Sequence, residues 1–261
     1  MALSRNTWIR TAFILGVVTI VAGPMLMVHA LNVRMLRADP NRLSQDLTLN
    51  TYAMAVGEAG YQSHCASCHG AKAKGDPSRG VPDLTDQDWL YGEGRVQDIE
   101  RVVTYGIRSG NPKGWRLAEM PAYATATPSV TEKVPPLAPQ DISDVAQYLL
   151  LLEDRPTQGQ AARRGAEIYA KRGGCFDCHG ADARGDSAIG APNLIDHIWL
   201  YGDGSAQAIY TSIARGHHGT CPAFIGRVSA SAIRAISVYV HSLSHLAREG
   251  GDLDANAEAR S

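Results

Sequence analysis

Apolar residues recur at helical spacing in matched places along the chain. Ile142, Val145, Tyr148, Leu149 and Leu152 form one stripe, and Ile233, Ile236, Tyr239, Val240 and Leu243 form another. Both follow the i, i+3, i+4, i+7 period of a half-buried helix. Two further amphipathic stretches, residues 52–63 and 160–171, each carry a glycine and a tyrosine four positions apart on one helical face, Gly57/Tyr61 and Gly165/Tyr169. The pattern predicts a mainly α protein. One run differs in kind: Thr11 to Val33 contains no Lys, Arg, Asp or Glu. As a helix it spans about 35 Å, enough for a hydrocarbon core of about 30 Å. That length predicts a retained transmembrane helix, with residues 1–36 as the anchor and the lipid bilayer meeting residues 11–33. The competing reading is a cleaved signal peptide, with Val28-His29-Ala30 as its small-residue site.

Polar stretches divide the rest. Residues 37–51 read as a tether, and residues 124–140, with four prolines, as an extended loop. Residues 153–160 read as a linker and 248–261 as a disordered tail. Two domains are expected, at 52–153 and 154–247, within the usual size of about 100 residues each.

The strongest chemical signal is a repeat. Cys65-Ala66-Ser67-Cys68-His69 returns as Cys175-Phe176-Asp177-Cys178-His179, 110 positions later. C-x-x-C-H is the attachment sequence for haem c, in which two thiols add to the vinyl groups and the histidine ligates the iron. The same shift relates Gly75-Asp76 to Gly185-Asp186, and Asp86 and Trp89-Leu90-Tyr91-Gly92 to Asp196 and Trp199-Leu200-Tyr201-Gly202. Beyond Gly106 and Gly216 the register changes. Met120-Pro121-Ala122-Tyr123 matches Cys221-Pro222-Ala223-Phe224 with nine extra residues in the first copy. A duplication of this period predicts two similar folding units, not a solenoid.

Composition narrows the classes further. A net charge of −1 gives no footing for nucleic acid. Of five cysteines, four lie in the paired motifs. Zinc ribbons and thioredoxin-like sites also use C-x-x-C, but neither explains a histidine directly after each pair. Two haem c groups are therefore expected, held by Cys65, Cys68, Cys175 and Cys178, with His69 and His179 on the iron. Covalent haem attachment places both domains outside the cytoplasm, in the periplasm of a Gram-negative source.

For the first haem, Met120 is the expected distal ligand, since it comes after a glycine-rich loop and precedes a proline. A His/Met pair favours ferrous iron and raises the potential. For the second, Cys221 stands in the corresponding place, with His217 and His218 as alternatives. A thiolate there would favour ferric iron and lower the potential. Trp89 and Trp199 are expected to pack beside the haem or between domains, with their N–H groups on backbone or propionate. Asp86 and Asp196 are expected to cap turns. Arg95, Arg101 and Arg215 are candidate propionate partners.

The paired C-x-x-C-H, the doubled D-x-x-W-L-Y-G and the Met-Pro-Ala element resemble subunit III of cbb3-type cytochrome c oxidases over about residues 52–244. The resemblance implies a single-pass inner-membrane protein with two tandem class I cytochrome c domains. It implies a non-catalytic relay, taking electrons from a donor cytochrome or quinol-oxidising complex and passing them to the oxidase subunits. Two features depart from that family: Cys221 replaces the second methionine, and Gly216-His217-His218-Gly219 replaces a Gly-Arg-x-Gly pattern. The departures keep two other classes in view, a dihaem enzyme oxidising sulfur compounds at a His/Cys haem and a free-standing tethered electron shuttle.

Overall fold

The computed structural model describes residues 22–116, 119–125, 127–128, 133–134 and 136–258. Helix α1 covers residues 22–37 of this range. It is succeeded by a 3₁₀ turn (Pro40–Gln45), then α2 (Leu47–His64), α3 (Ala66–His69) and α4 (Val96–Tyr105). A two-residue antiparallel pair, β1 (Thr127–Pro128) and β2 (Lys133–Val134), lies within the proline-rich loop. Then come α5 (Pro139–Leu152), α6 (Gly159–Ala170), α7 (Phe176–His179), α8 (Ala206–Arg215) and α9 (Ala230–Glu258). The mainly α expectation holds among the described residues.

Local chemistry explains the helix starts. The Asp46 carboxylate accepts from Leu49 N at 3.0 Å and caps α2, and Ser205 accepts from Ala208 N at 3.2 Å and caps α8. Pro139 opens α5, where a missing N–H costs nothing.

The packing departs from the order of the sequence repeat. The helix that ends the second copy, α9, packs against α2 and α4 of the first. The helix that ends the first copy, α5, packs against α6 and α8 of the second. One core therefore holds Tyr61, Ala73 and Ile99 together with Ile236 and Val240. The other holds Ile142, Val145 and Leu149 together with Ile168, Tyr169 and Ile209. The first unit is built from α2–α4 and α9. The second, α5–α8, lies on one continuous stretch of chain inserted between α4 and α9. The expected division at residues 153/154 follows the repeat and cuts across this packing.

The helix crossings use the predicted small residues. A Cβ on Gly57 would fall inside the Ala235 carbonyl, and one on Gly165 inside the Asp144 carbonyl. The rings of Tyr61 and Tyr239 meet at 5.6 Å, and those of Tyr148 and Tyr169 at 5.4 Å. Close crossing of two backbones thus occurs twice, each time between the two copies. Both stripes are apolar and both facing helices carry a glycine, so either pairing buries similar surface and the period alone cannot select one.

Backbone pairing marks the two crossover points. Ile107 and Cys221 exchange N–H···O bonds of 2.9 Å each, and Met120 and His217 exchange bonds of 3.0 Å each. These pairs are related by the repeat, as are Phe224 N to Val103 O and Tyr123 N to Ile213 O, both 3.1 Å. The two units are therefore arranged about a pseudo-two-fold axis. Near it, Tyr91 covers Gly190 and Tyr201 covers Gly80, two glycines with φ of 82° and 65°. Only glycine combines that conformation with a tyrosine ring directly over the Cα. Gly92 N donates to Ser187 O and Gly202 N to Pro77 O, both at 3.1 Å.

Three sequence expectations need correction or restriction. Residues 37–51 do not form a free tether. Leu43 is 1% exposed and packs with Leu31, Met35, Leu49, Ala53 and Ala235, which seats the end of α1 on the first unit. Arg234 fastens that seat, donating to Glu100 Oε2 at 2.6 Å and to the carbonyls of Met35 and Ala38. Residues 248–258, expected as disordered, continue α9. A helix already held by packing extends at small cost per residue, and Ala255, Ala257 and Glu258 are good helix formers despite Gly250-Gly251. Of the expected anchor, residues 1–21 lie outside the described residues. No described helix is long and apolar enough to cross a membrane. On the described part of that run Met25, Leu26, Met27 and Val28 are exposed.

Candidate functional site

Each C-x-x-C-H sequence forms one helical turn shortly after a longer helix. The buried tyrosine of that helix anchors the glycine just beyond the motif: Tyr61 Oη donates to Gly70 O and Tyr169 Oη to Gly180 O, both at 2.7 Å. The chain then loops back so that His69 Nδ1 meets Pro82 O at 3.2 Å and His179 Nδ1 meets Pro192 O at 3.0 Å. With Nδ1 bonded to a carbonyl, the imidazole carries its proton there and keeps Nε2 free as a lone-pair donor. Burial lowers the pKa of both rings, which holds them in the neutral, ligating form. None of the five cysteines is joined in a disulfide. Two cysteines one helical turn apart beside an oriented imidazole fit covalent haem attachment at both sites.

The structure exchanges the residues expected on the distal side. Met120 packs in the core that contains Cys175, Tyr169 and Ile213, and so stands with His179. Its neighbour Tyr123 donates from Oη to Gly173 O at 2.7 Å, just before the second motif. Cys221 stands with the first motif. Phe224, three positions on, has its ring 5.9 Å from that of His64, the residue before Cys65. The Cys221 thiol is pushed up to about 11 by burial, with the Cys68 thiol close enough to add to the effect. The expected pairs His69/Met120 and His179/Cys221 are thus brought together as His69/Cys221 and His179/Met120. The reason is the exchange of chain segments beyond Gly106 and Gly216, which the repeat alone does not reveal.

The alternatives at the second site separate. His218 is exposed. The His217 ring stacks on Tyr201, with centroids 3.4 Å apart and planes at 10°. Burial, with a contribution from His218, pushes its pKa down to about 4.

The remaining candidates have structural roles. Trp199 Nε1 donates to Glu153 Oε1 at 3.1 Å, an acceptor that is neither backbone nor propionate. That buried carboxylate is also paired with the half-exposed Arg155 at 3.0 Å, so the supposed linker begins with a fixed ion pair. Trp89 and Trp199 lie against Gly94 and Gly204. Asp86 and Asp196 cap turns as expected, accepting from Asp88 N and Ile198 N at 3.0 Å. Arg95 is engaged by Asp98 at 2.9 Å. Arg101 lies over the Trp115 ring at 4.5 Å, and Arg215 lines a cleft between the units.

A cluster of carboxylates that the sequence did not single out lies at the contact between the units. Asp88 is pushed up to about 6, first by burial and then by Asp196 and Asp86. A carboxyl whose folded pKa exceeds its unfolded value stabilises the fold below about pH 4, and that stability is lost as pH rises through about 6. Asp88→Asn should therefore raise thermal stability at pH 7 by about 1 kcal/mol, after screening at a partly exposed site, and flatten its decline between pH 4 and 7. Melting curves across that range read both effects.

Similarity to known proteins falls along the same two copies. Residues 54–153 match the family model described as cytochrome c, and residues 160–240 match that of cytochrome C oxidase, cbb3-type, subunit III. The chain is 41% identical over 202 residues to the Cbb3-type cytochrome c oxidase subunit FixP of Bradyrhizobium sp. (strain ORS 278), covering 77% of this chain and 64% of that protein. It is 33% identical over 222 residues to the FixP subunit of Rhizobium meliloti (strain 1021), covering 85% and 69%. It is 37% identical over 225 residues to the Cbb3-type cytochrome c oxidase subunit CcoP of Rhodobacter capsulatus, covering 83% and 71%. The match thus spans a little under two thirds of the first relative and about seven tenths of the other two.

Proposed function

Because the chain belongs to the family of cbb3-type cytochrome c oxidase subunit III and carries covalently bound haem c, we propose that it is the electron-carrying subunit of a membrane respiratory oxidase. The observation that carries this reading is the pair of C-x-x-C-H turns, each with its histidine held through Nδ1 on a proline carbonyl. Bound haem c supplies reversible one-electron chemistry at iron.

The protein's part is to orient, insulate and tune. His69 and His179 would hold the iron through Nε2. Met120 would serve with His179, where a thioether favours ferrous iron and raises the potential. Cys221 would serve with His69, where a thiolate favours ferric iron and lowers it. Cys221→Met should accordingly raise the potential of the haem held by Cys65 and Cys68 alone, as read by spectroelectrochemistry. His217, paired with Met120, and Cys221 are four positions apart, a stretch that reaches at most about 14 Å. The two distal strands are therefore close neighbours, which suits direct transfer between sites.

The reading takes the charge-free run at residues 11–33 as the membrane anchor and puts both units on the periplasmic side. The donor is a cytochrome or quinol-oxidising complex, and the acceptors are the catalytic oxidase subunits.

Affinity purification of the tagged protein from mildly solubilised native membranes, with a reduced-minus-oxidised spectrum, tests the reading. Haem b bands and oxygen uptake alongside the c-type bands support it. Only c-type haem, with no partner, would move the assignment to a tethered shuttle or, given the His69/Cys221 pair, to oxidation of sulfur compounds.

A further inference from the structure

Two buried polar atoms among the described residues have no hydrogen-bond partner: Trp115 Nε1 and His217 Nε2. A buried indole N–H without an acceptor is costly, and the His217 imidazole, whose tautomer is set by whatever Nε2 meets, likewise calls for a partner. They occupy related places in the two units. The Trp115 ring packs on Tyr91 at 5.3 Å, and the His217 ring packs on Tyr201 at 3.4 Å. These are the matching tyrosines of the doubled W-L-Y-G. His217 pairs through its backbone with Met120, and Trp115 pairs with Ile107, which pairs with Cys221. Each nitrogen therefore lies beside the strand that carries a distal residue.

The sequence repeat does not produce this correspondence. Residue 217 aligns with Ile107, whereas Trp115 belongs to the longer loop of the first copy. Two unrelated side chains supply a ring nitrogen beside matching tyrosines, so the demand comes from the site. The surroundings specify an anion. The Arg101 guanidinium lies 4.5 Å above the Trp115 ring. Arg79 from the first unit and Arg215 from the second line the cleft that also contains Tyr201 and His217. A ring nitrogen without a partner, with an arginine over its ring at Trp115 and two arginines lining its cleft at His217, suits a carboxylate, and each haem c brings two as propionates.

We propose that Trp115 Nε1–H binds a propionate of the haem held by Cys65 and Cys68, and that His217 Nε2–H binds a propionate of the haem held by Cys175 and Cys178. The inference rests on the haem-relay reading above. A propionate that loses its donor places less compensated negative charge near the iron and favours the ferric state.

The test uses the full-length holoprotein in detergent. Trp115→Phe, which keeps the stacking and removes the donor, should lower the midpoint potential of the first haem only. His217→Phe should lower that of the second only, while His217→Gln, which retains an N–H donor, should restore it. In unsubstituted protein labelled with ¹⁵N-tryptophan, the indole N–H resonance of Trp115 should shift when the first haem is reduced. Potentials unmoved in both Phe variants would overturn the proposal. So would equal shifts of both waves in each variant, which would mean general loosening, or a Trp115 resonance indifferent to the first haem's oxidation state. If the spectrum shows two ordinary haems c but the protein purifies without oxidase partners, the relay reading fails while the propionate contacts stand.

Discussion

Exchanging Met120 for histidine should lower the midpoint potential of the haem held by Cys175 and Cys178 and leave the haem at Cys65 and Cys68 where it was. The linear order of the chain gives the opposite expectation, since Met120 comes after the first motif and before the second. The packing reverses it: Met120 lies in the core with Cys175 and Tyr169, and its backbone is bonded to His217 at 3.0 Å in both directions. Replacing a thioether by an imidazole removes the preference for ferrous iron. The drop should be on the order of 0.1 V, within the ~0.8 V that axial-ligand choice spans. Single-haem backgrounds make the measurement unambiguous. In a Cys65→Ala/Cys68→Ala protein the remaining wave should move with Met120→His. In a Cys175→Ala/Cys178→Ala protein it should not. Movement in the second background instead of the first would show that the distal residues serve the motifs they trail in sequence.

Separating the chain at residues 153/154 should leave neither half with a complete cytochrome fold. The N-terminal piece loses α9, and with it Ile233, Ile236, Val238 and Val240, none more than 5% exposed. At about 1.5–3 kcal/mol for each buried aliphatic side chain, the loss is at least about 6 kcal/mol. That is comparable with the whole stability of a domain, about 5–15 kcal/mol. The C-terminal piece loses α5 and its stripe of Ile142, Val145 and Leu149 in the same way. A fragment of residues 112–218 behaves differently. It contains Met120, α5, α6, the second motif and α8 on one continuous stretch, so it should fold and carry one haem when matured in the periplasm. Circular dichroism and the haem spectrum of the three fragments distinguish the cases. Two stable halves from the cut at 153/154 would mean that the helices pair within each copy.

The boundary between the legible and the illegible runs through particular residues. The paired C-x-x-C-H turns, the glycine-tyrosine helices and the closing stripes are all periodic or local signals. Each is set by spacing within a dozen residues, so the mainly α fold and the proximal halves of both sites follow from sequence. The turn-capping roles of Asp86 and Asp196 are local too. By contrast, the carboxylate group around Asp88 joins residues more than a hundred positions apart, and no local signal marks it.

The chemistry is already written in the linear chain: thiols in pairs, a histidine after each, one methionine and one cysteine as the sulfur residues opposite. Which sulfur faces which histidine is assigned only by the folded arrangement. The two copies carry interchangeable apolar stripes and interchangeable glycines at their crossings, so burial leaves the choice of partner nearly degenerate. The choice is made by backbone bonds at Ile107/Cys221 and Met120/His217, where the chain passes from one unit to the other and back. Those bonds form only between segments remote in sequence, and the identity of each iron site depends on them.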